Sequence, residues 1–308
     1  MECKMSILIY SFNDICKSFI TDRKMKQRSK RTIEFYHYNF DNFQKWLKTE
    51  KISQTNIELI TTQQLKKYFI HLSETRTSGG THAPYRAIRA LLYFYEEEFE
   101  PDNWKNPIKK IKIENPKPEI LDGIPIEHVK ILIENTSGTF KLRDSALFSC
   151  LVDSGCRITE FLLLNIEDVD LISGRVFIKR ENSKTKKSRV VFFGKDSRKY
   201  LRKYLKTREN LEPDSPLWIN IVNSRLQYYG FMKIIKRNCD INNIPYCSPH
   251  DFRRCFAITL YRNGASVLDI SNLLGHRSLE VTQRYLKIDE KDLLKSHISN
   301  NPIDNLRK

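Results

Sequence analysis

Four prolines fall within the twenty residues "NPIKKIKIENPKPEILDGIP" (106–125), and no helix can run through them. Proline lacks a backbone N–H and pushes the residue before it out of the helical region. With its lysines, the stretch reads as an extended basic linker. A chain of 308 residues can bury one large core or two modest ones. A proline seam between two self-contained patterns predicts two domains, where a surface loop inside one domain is the simpler alternative. The expected boundaries are a helical domain over 1–110, a linker over 111–124 and a second domain over 125–308.

Before the seam the pattern is helical. "SFNDICKSFITDRK" repeats Phe12, Ile15, Phe19 and Ile20 at helical spacing, and the next stretch repeats Ile33, Tyr36, Phe40, Phe43 and Leu47. "TTQQLKKYFIHLSE", capped by Thr61 or Thr62, turns Leu65, Phe69 and Leu72 inward. "THAPYRAIRALLYFYEEEFE" adds a fourth helix, and four helices with short loops pack most simply as one unit. After the seam the pattern is mixed. Helical runs surround "RVFIKRENSKTKKSRVVFFG", which reads as two strands about a basic turn. In it Val176 and Ile178, then Val190 and Phe192, alternate with other residues. The fold class is therefore mainly α with a small β-hairpin in the C-terminal half. Gly264 and Gly275 stand where helix C-caps are wanted.

Charge narrows the partners. The 53 Lys and Arg against 37 Asp and Glu leave a net charge of +16, which favours polyanions. Membrane attachment finds little support, since "MSILIYSF" is too short to span a bilayer. Seven irregularly spaced cysteines, with no C-x-x-C pair, argue against a disulfide framework and fit a reducing cytosol. Cys247, His250 and Cys255 cluster, but three ligands without a fourth make a poor zinc site. No G-x-G-x-x-G or P-loop lysine supports nucleotide use, so no cofactor is expected.

Six residues of the second half make chemical sense together: Arg157, Lys184, His250, Arg253, His276 and Tyr285. Each has a plain reading alone. Arg157 pairs with Glu160 on the next turn, and Lys184 is one cation of the solvated hairpin tip "SKTKKSR". His250 and Arg253 share a helix face, and His276 follows a helix C-terminus. Tyr285 is a phenol, a group mostly inert at neutral pH. As a set they match a phosphodiester. Two guanidinium forks hold its charged oxygens, and tyrosine, histidine and lysine can serve as nucleophile, base and acid.

The same residues carry a resemblance to the tyrosine recombinases, the phage integrase family, of the Xer-like or small mobile-element kind. "DSGCRITEFLLL" resembles the family's first arginine box at Arg157 and Glu160, and "SKTKKSRVVFF" its β-hairpin lysine element at Lys184. Lys186 and Lys187 crowd that position, so a one-residue slip of the hairpin would change the assignment. "SPHDFRRCFAITLYRNG" resembles the His-x-x-Arg box at His250 and Arg253. "LLGHRSLEVTQRY" resembles the closing Leu-Gly-His box, with His276 and the nucleophile Tyr285 nine positions on. Arg254 and Cys255 depart from the family, which has histidine and a small polar residue there.

The resemblance implies a helical core DNA-binding (SAM-like) domain ahead of an α+β catalytic domain. It implies cleavage and rejoining of duplex DNA through a 3′-phosphotyrosyl intermediate. Arg157 and Arg253 clamp the phosphate, His250 acts as base, His276 donates to a phosphoryl oxygen and Lys184 protonates the leaving 5′ oxygen. The implied partners are double-stranded DNA with inverted half-sites and further copies of the chain, a dimer on each site and a tetramer in the synapse. The tail after Tyr285 is a candidate for docking on a neighbouring subunit, or a frayed terminus. A type IB topoisomerase-like enzyme and an inactive DNA-binding module of the same fold are the alternatives.

Overall fold

The computed structural model describes residues 10–54, 56–114, 123–183, 187–209, 211–276 and 278–286, and beyond these 290, 294, 297, 298, 301 and 303. The chain divides into two compact units, Met1–Lys117 and Pro118–Lys308. The middle of the proline seam, Lys184 and most of the tail lie outside the described residues.

The first unit holds α1 (Phe12–Met25), α2 (Lys30–Thr49), α3 (Thr62–Thr75) and α4 (Ser78–Phe99), with a 3-10 turn at Pro107–Lys110. Side-chain caps start the first three. Ser11 Oγ accepts from Asp14 N–H at 3.2 Å and Ser29 Oγ from Thr32 N–H at 3.2 Å. Thr61 and Gln64 close a reciprocal capping box. Phe12, Ile15, Phe19, Phe40, Phe43, Leu47, Leu65 and Leu72 are buried at the common core. At its centre the Phe19 ring meets Tyr36, Phe40 and Phe94 edge-on at 4.7, 5.5 and 5.3 Å, the geometry that ring quadrupoles favour.

The second unit comprises α5 (Ile126–Glu134), α6 (Lys141–Ser154), α7 (Ile158–Leu162), a two-stranded sheet, α8 (Lys195–Leu205), α9 (Tyr228–Ile241), α10 (Pro249–Arg262), α11 (Val267–Leu274) and α12 (Leu279–Gln283). Its central element is α6, buried along most of its length and packed on α5, α8 and α10. Phe148 of α6 stacks on Phe252 of α10 at 5.9 Å, which anchors the turn that carries His250 and Arg253. A separate small core of Ala257, Ile270, Leu274 and Leu286 ties α11 and the segment after α12 to α10.

The sheet pairs β1 (Arg175–Ile178) antiparallel with β2 (Arg189–Phe192), Val176 facing Val191 and Ile178 facing Arg189. Here the alternation read from sequence needs correction. The buried side chains of the second strand and its exit are Val191 and Phe193, while Val190 is only half-buried and Phe192 is 50% exposed. The run Arg189–Phe193 is apolar on both sides after its first residue, so period two alone leaves the inward face undetermined. Pairing with Val176 and Ile178, both buried, decides it.

One glycine is essential to this unit. Gly155 ends α6 in the left-handed conformation at φ +58°, and a Cβ there would lie 2.3 Å from Phe256 Cδ1. Left-handed backbone costs an ordinary residue about 1–2 kcal/mol, and displacing the Phe256 ring adds to it. Gly155→Ala is expected to destabilise the protein by more than about 2 kcal/mol, read as a lowered urea midpoint at unchanged slope.

Candidate active site

Helix α11 ends where the site begins. The last carbonyls of a helix have no partner within it, and its dipole makes that end negative. Three consecutive carbonyls there accept from three different arginines. Leu273 O takes Arg189 Nε at 3.1 Å, Leu274 O takes Arg253 Nη2 at 2.7 Å, and Gly275 O takes Arg157 Nη2 at 3.3 Å. Gly275 caps the helix in the left-handed region at φ +64°, and a Cβ there would press on the Arg189 side chain at 3.0 Å. The arginines come from distant parts of the chain: Arg157 caps α7, Arg189 begins β2 and Arg253 belongs to α10.

A single carboxylate links two of them. Glu160 Oε1 accepts from Arg157 Nη1 at 2.9 Å and Oε2 from Arg189 Nη2 at 2.6 Å, and its side chain is fully buried. Burial alone raises its pKa. The Arg189 hydrogen bond and the Arg189 and Arg157 charges outweigh that and hold the carboxyl below its usual range. Arg253 is 2% exposed, and its second nitrogen donates to the Gly155 carbonyl at 2.7 Å. Burial, then the Arg157 charge, pushes this guanidinium down to about 10, so it stays protonated at neutral pH.

Beyond Gly275 the chain carries His276 and turns through α12 to Tyr285. His276 Nδ1 lies 2.7 Å from Oγ1 of the buried Thr282, which fixes the ring and leaves Nε2 available. Leu286 plugs the small core, so Tyr285 is held from the residue that follows it. Its hydroxyl is 3.1 Å from His250 Nε2. The His250 and His276 rings meet the Tyr285 ring edge-on at 5.5 and 5.4 Å. His250 is in the first turn of α10, where Ser248 and Asp251 form the capping box, with Ser248 N–H donating to Asp251 Oδ2 at 2.7 Å.

Both histidines are neutral in this setting. Lost solvation first, then the Arg254 and Arg253 charges, push His250 down to about 4, although the residue remains solvent-exposed. Lost solvation, then Arg253 and Arg157, push His276 down to about 3. Arg157, His250 and Arg253 line a cleft of about 310 Å³ with Cys156, Tyr228 and Ser248. Two guanidinium groups and a neutral imidazole in its lining suit the cleft chemically to an oxyanion.

Five of the six residues expected from sequence, Arg157, His250, Arg253, His276 and Tyr285, therefore meet at one place. Lys184 and its neighbour Lys186 are outside the described residues, and Lys187 is exposed. Arg189 was missed. It was read as one cation of a solvated tip, yet its side chain is only 10% exposed. The signal lay in the strand register: with Val191 inward, period two turns Arg189 inward as well, and a buried cation requires a carboxylate. Cys247 lies 3.7 Å from the Cys239 sulfur, and among the described residues no cluster suits a metal ion.

The profile of the phage integrase family matches residues 124–292, more than half of the chain and all of the site. The chain belongs to this family. Tyrosine recombinase XerC of Treponema denticola is 29% identical over 91% of the chain and 96% of its own length. Tyrosine recombinase XerD of Staphylococcus epidermidis is 30% identical over 90% of the chain and 94% of its own. The XerH site-specific recombinase bound to its difH substrate shares the fold, with a TM-score of 0.71 at 21% identity over 93% of the chain and 84% of XerH. The protein is thus an Xer-like site-specific tyrosine recombinase, and the relatives favour neither a topoisomerase nor an inactive module.

The histidines give the recombinase a pH signature. Each has a folded pKa below its ordinary 6.5, so the unfolded chain takes up the proton first as pH falls. Their contribution to stability is complete above 6.5 and is lost as pH falls through about 4 and about 3. His276→Gln is expected to lose less stability than wild type between pH 7.5 and pH 5, compared by thermal melting at both values.

Proposed function

We propose that Tyr285 is the nucleophile with which this recombinase cuts DNA. The phenolic oxygen forms a bond to a backbone phosphorus while the bond from phosphorus to the 5′ oxygen breaks, leaving a 3′-phosphotyrosyl ester. The observation that carries this reading is the hydroxyl of Tyr285 at 3.1 Å from Nε2 of a neutral His250. A neutral imidazole at hydrogen-bond distance can accept the phenolic proton as the ester forms. Arg157 and Arg253 clamp the non-bridging oxygens, already oriented by the α11 carbonyls, so little reorganisation is needed as charge develops. His276 donates to a phosphoryl oxygen through its free Nε2, and Lys184 protonates the departing 5′ oxygen. Glu160 orients Arg157.

One phosphoester replaces another, so the strand can be rejoined by a hydroxyl from a second duplex. In this reading the first unit adds contacts to the DNA backbone, where phosphate pairing dominates affinity. The chain acts in the cytoplasm, as pairs on inverted half-sites and as a tetramer when two sites are joined. Among the described residues no helix is long and apolar enough to cross a membrane.

The test is a nicked suicide duplex built on a site recovered by selection from a random pool. Wild type is expected to form a covalent DNA adduct stable in detergent. Tyr285→Phe should form none while binding the duplex with unchanged Kd, and Arg253→Lys should lose about a hundredfold or more in cleavage rate. An adduct that survives in Tyr285→Phe overturns the assignment.

A further inference from the structure

The hydroxyl of Tyr285 faces the neutral His250, but a cation faces the ring itself. Arg254 Cζ lies 6.0 Å from the Tyr285 ring centroid, within the range of cation–π attraction. It is not a loose surface arginine. Its Nη1 donates to Asp251 Oδ1 at 2.9 Å in an i, i+3 pair, and the side chain is 16% exposed. The backbone beneath it is covered as well. Gly123 packs so closely that a Cβ there would lie 2.5 Å from Cys255 N, and Ile124 N–H donates to Asp251 O at 3.3 Å. The first two turns of α10 thus place three side chains around the site: His250 at the hydroxyl, Arg253 at the α11 carbonyls and Arg254 over the ring.

We propose that Arg254 is a positioning residue for strand cleavage, its fixed cation holding the Tyr285 ring in line and stabilising the negative charge that develops as the phenol attacks. The inference rests on the reading of Tyr285 as nucleophile and deepens it. A phenol that loses its proton while attacking gains negative charge on oxygen and ring together. A cation held over the ring therefore stabilises the transition state more than the resting phenol. Lost solvation lowers the His250 pKa most, and the same cation is the foremost charge that adds to it, leaving the imidazole able to accept the proton.

The other charged and titratable groups around this pair are Asp251 and Arg253 on α10, Arg157 at the start of α7, Tyr228 on α9 and His276 after α11. Arg157 and Arg253 are occupied by carbonyls and by Glu160, and His276 is bound to Thr282. Among the described residues, Arg254 is tied to the partly buried carboxylate of Asp251 on its own helix.

The experiment measures second-order adduct formation on the suicide duplex from pH 4.5 to pH 8.5, with Kd measured separately in a Tyr285→Phe background. Arg254→Gln and Arg254→Met remove the charge, and Arg254→Lys keeps it. Both neutral variants are expected to cleave about tenfold more slowly at neutral pH, and their acid limb should move up by about one unit as His250 becomes easier to protonate. Arg254→Lys should restore the wild-type limb and most of the rate, with Kd little changed throughout. Two neutral variants guard against one failing to fold, and circular dichroism confirms that each is native. Parallel pH profiles, or a loss confined to Kd and its salt dependence, would make Arg254 a DNA contact and overturn the proposal. Failure of Arg254→Lys to rescue would also overturn it. Absence of any adduct with wild type would instead remove the nucleophile reading beneath it.

Discussion

Everything at this site depends on the unpaired end of one short helix. The C-terminal carbonyls of α11 are the shared acceptor for Arg157, Arg189 and Arg253, and no other arrangement among the described residues brings these arginines together. Three guanidinium groups repel one another, and a single buried carboxylate, Glu160, offsets only part of that repulsion. The helix dipole and three charge-assisted hydrogen bonds offset a further part of it. Because His276 follows Gly275 directly, the acceptor that gathers the cations also sets the origin of the segment bearing Tyr285.

The consequence is a preorganised and electrically unbalanced cleft. Its arginines are held by backbone and carboxylate partners, and its histidines are kept neutral first by lost solvation and then by the surrounding arginine charges. Among the described residues the buried Nη1 of Arg189 has no hydrogen-bond partner, a further sign that this cluster is under-compensated. Such imbalance lowers stability locally and raises affinity for an anion that brings negative charge with it. The rigidity comes from behind: Phe148 stacked on Phe252 holds α10, and Gly155 ends α6 so that its carbonyl receives Arg253. Tyr285 is held more lightly, by Leu286 in a small separate core.

Much of this was legible beforehand, for identifiable reasons. Local patterns announce helices whenever one face is apolar and the ends carry caps, as at Ser11, Ser29 and Thr61. The residues that come together at the candidate site lie in short sequence boxes, so Arg157, His250, Arg253, His276 and Tyr285 could be singled out from sequence. Arg189 could not, because its role depends on which face of β2 turns inward, and "RVVFF" is apolar on both. One misread register hid one buried cation. Arg254 was visible only as a departure from the family pattern, with nothing to say what its charge would face.

By itself, then, the sequence determined the helical character of the chain, its break at the proline seam, its basic balance and the chemical types available for phosphate chemistry. Those properties arise from neighbours a few positions apart, where spacing, caps and side-chain type act directly. Only the tertiary structure decided that Arg157, Arg189 and Arg253 share one helix end, that Glu160 lies between two of them, and that His250 and Arg254 address different parts of one phenol. Those are contacts between residues up to 118 positions apart, as from Arg157 to Gly275. They follow from how α6, α10 and α11 pack, and no local pattern encodes them.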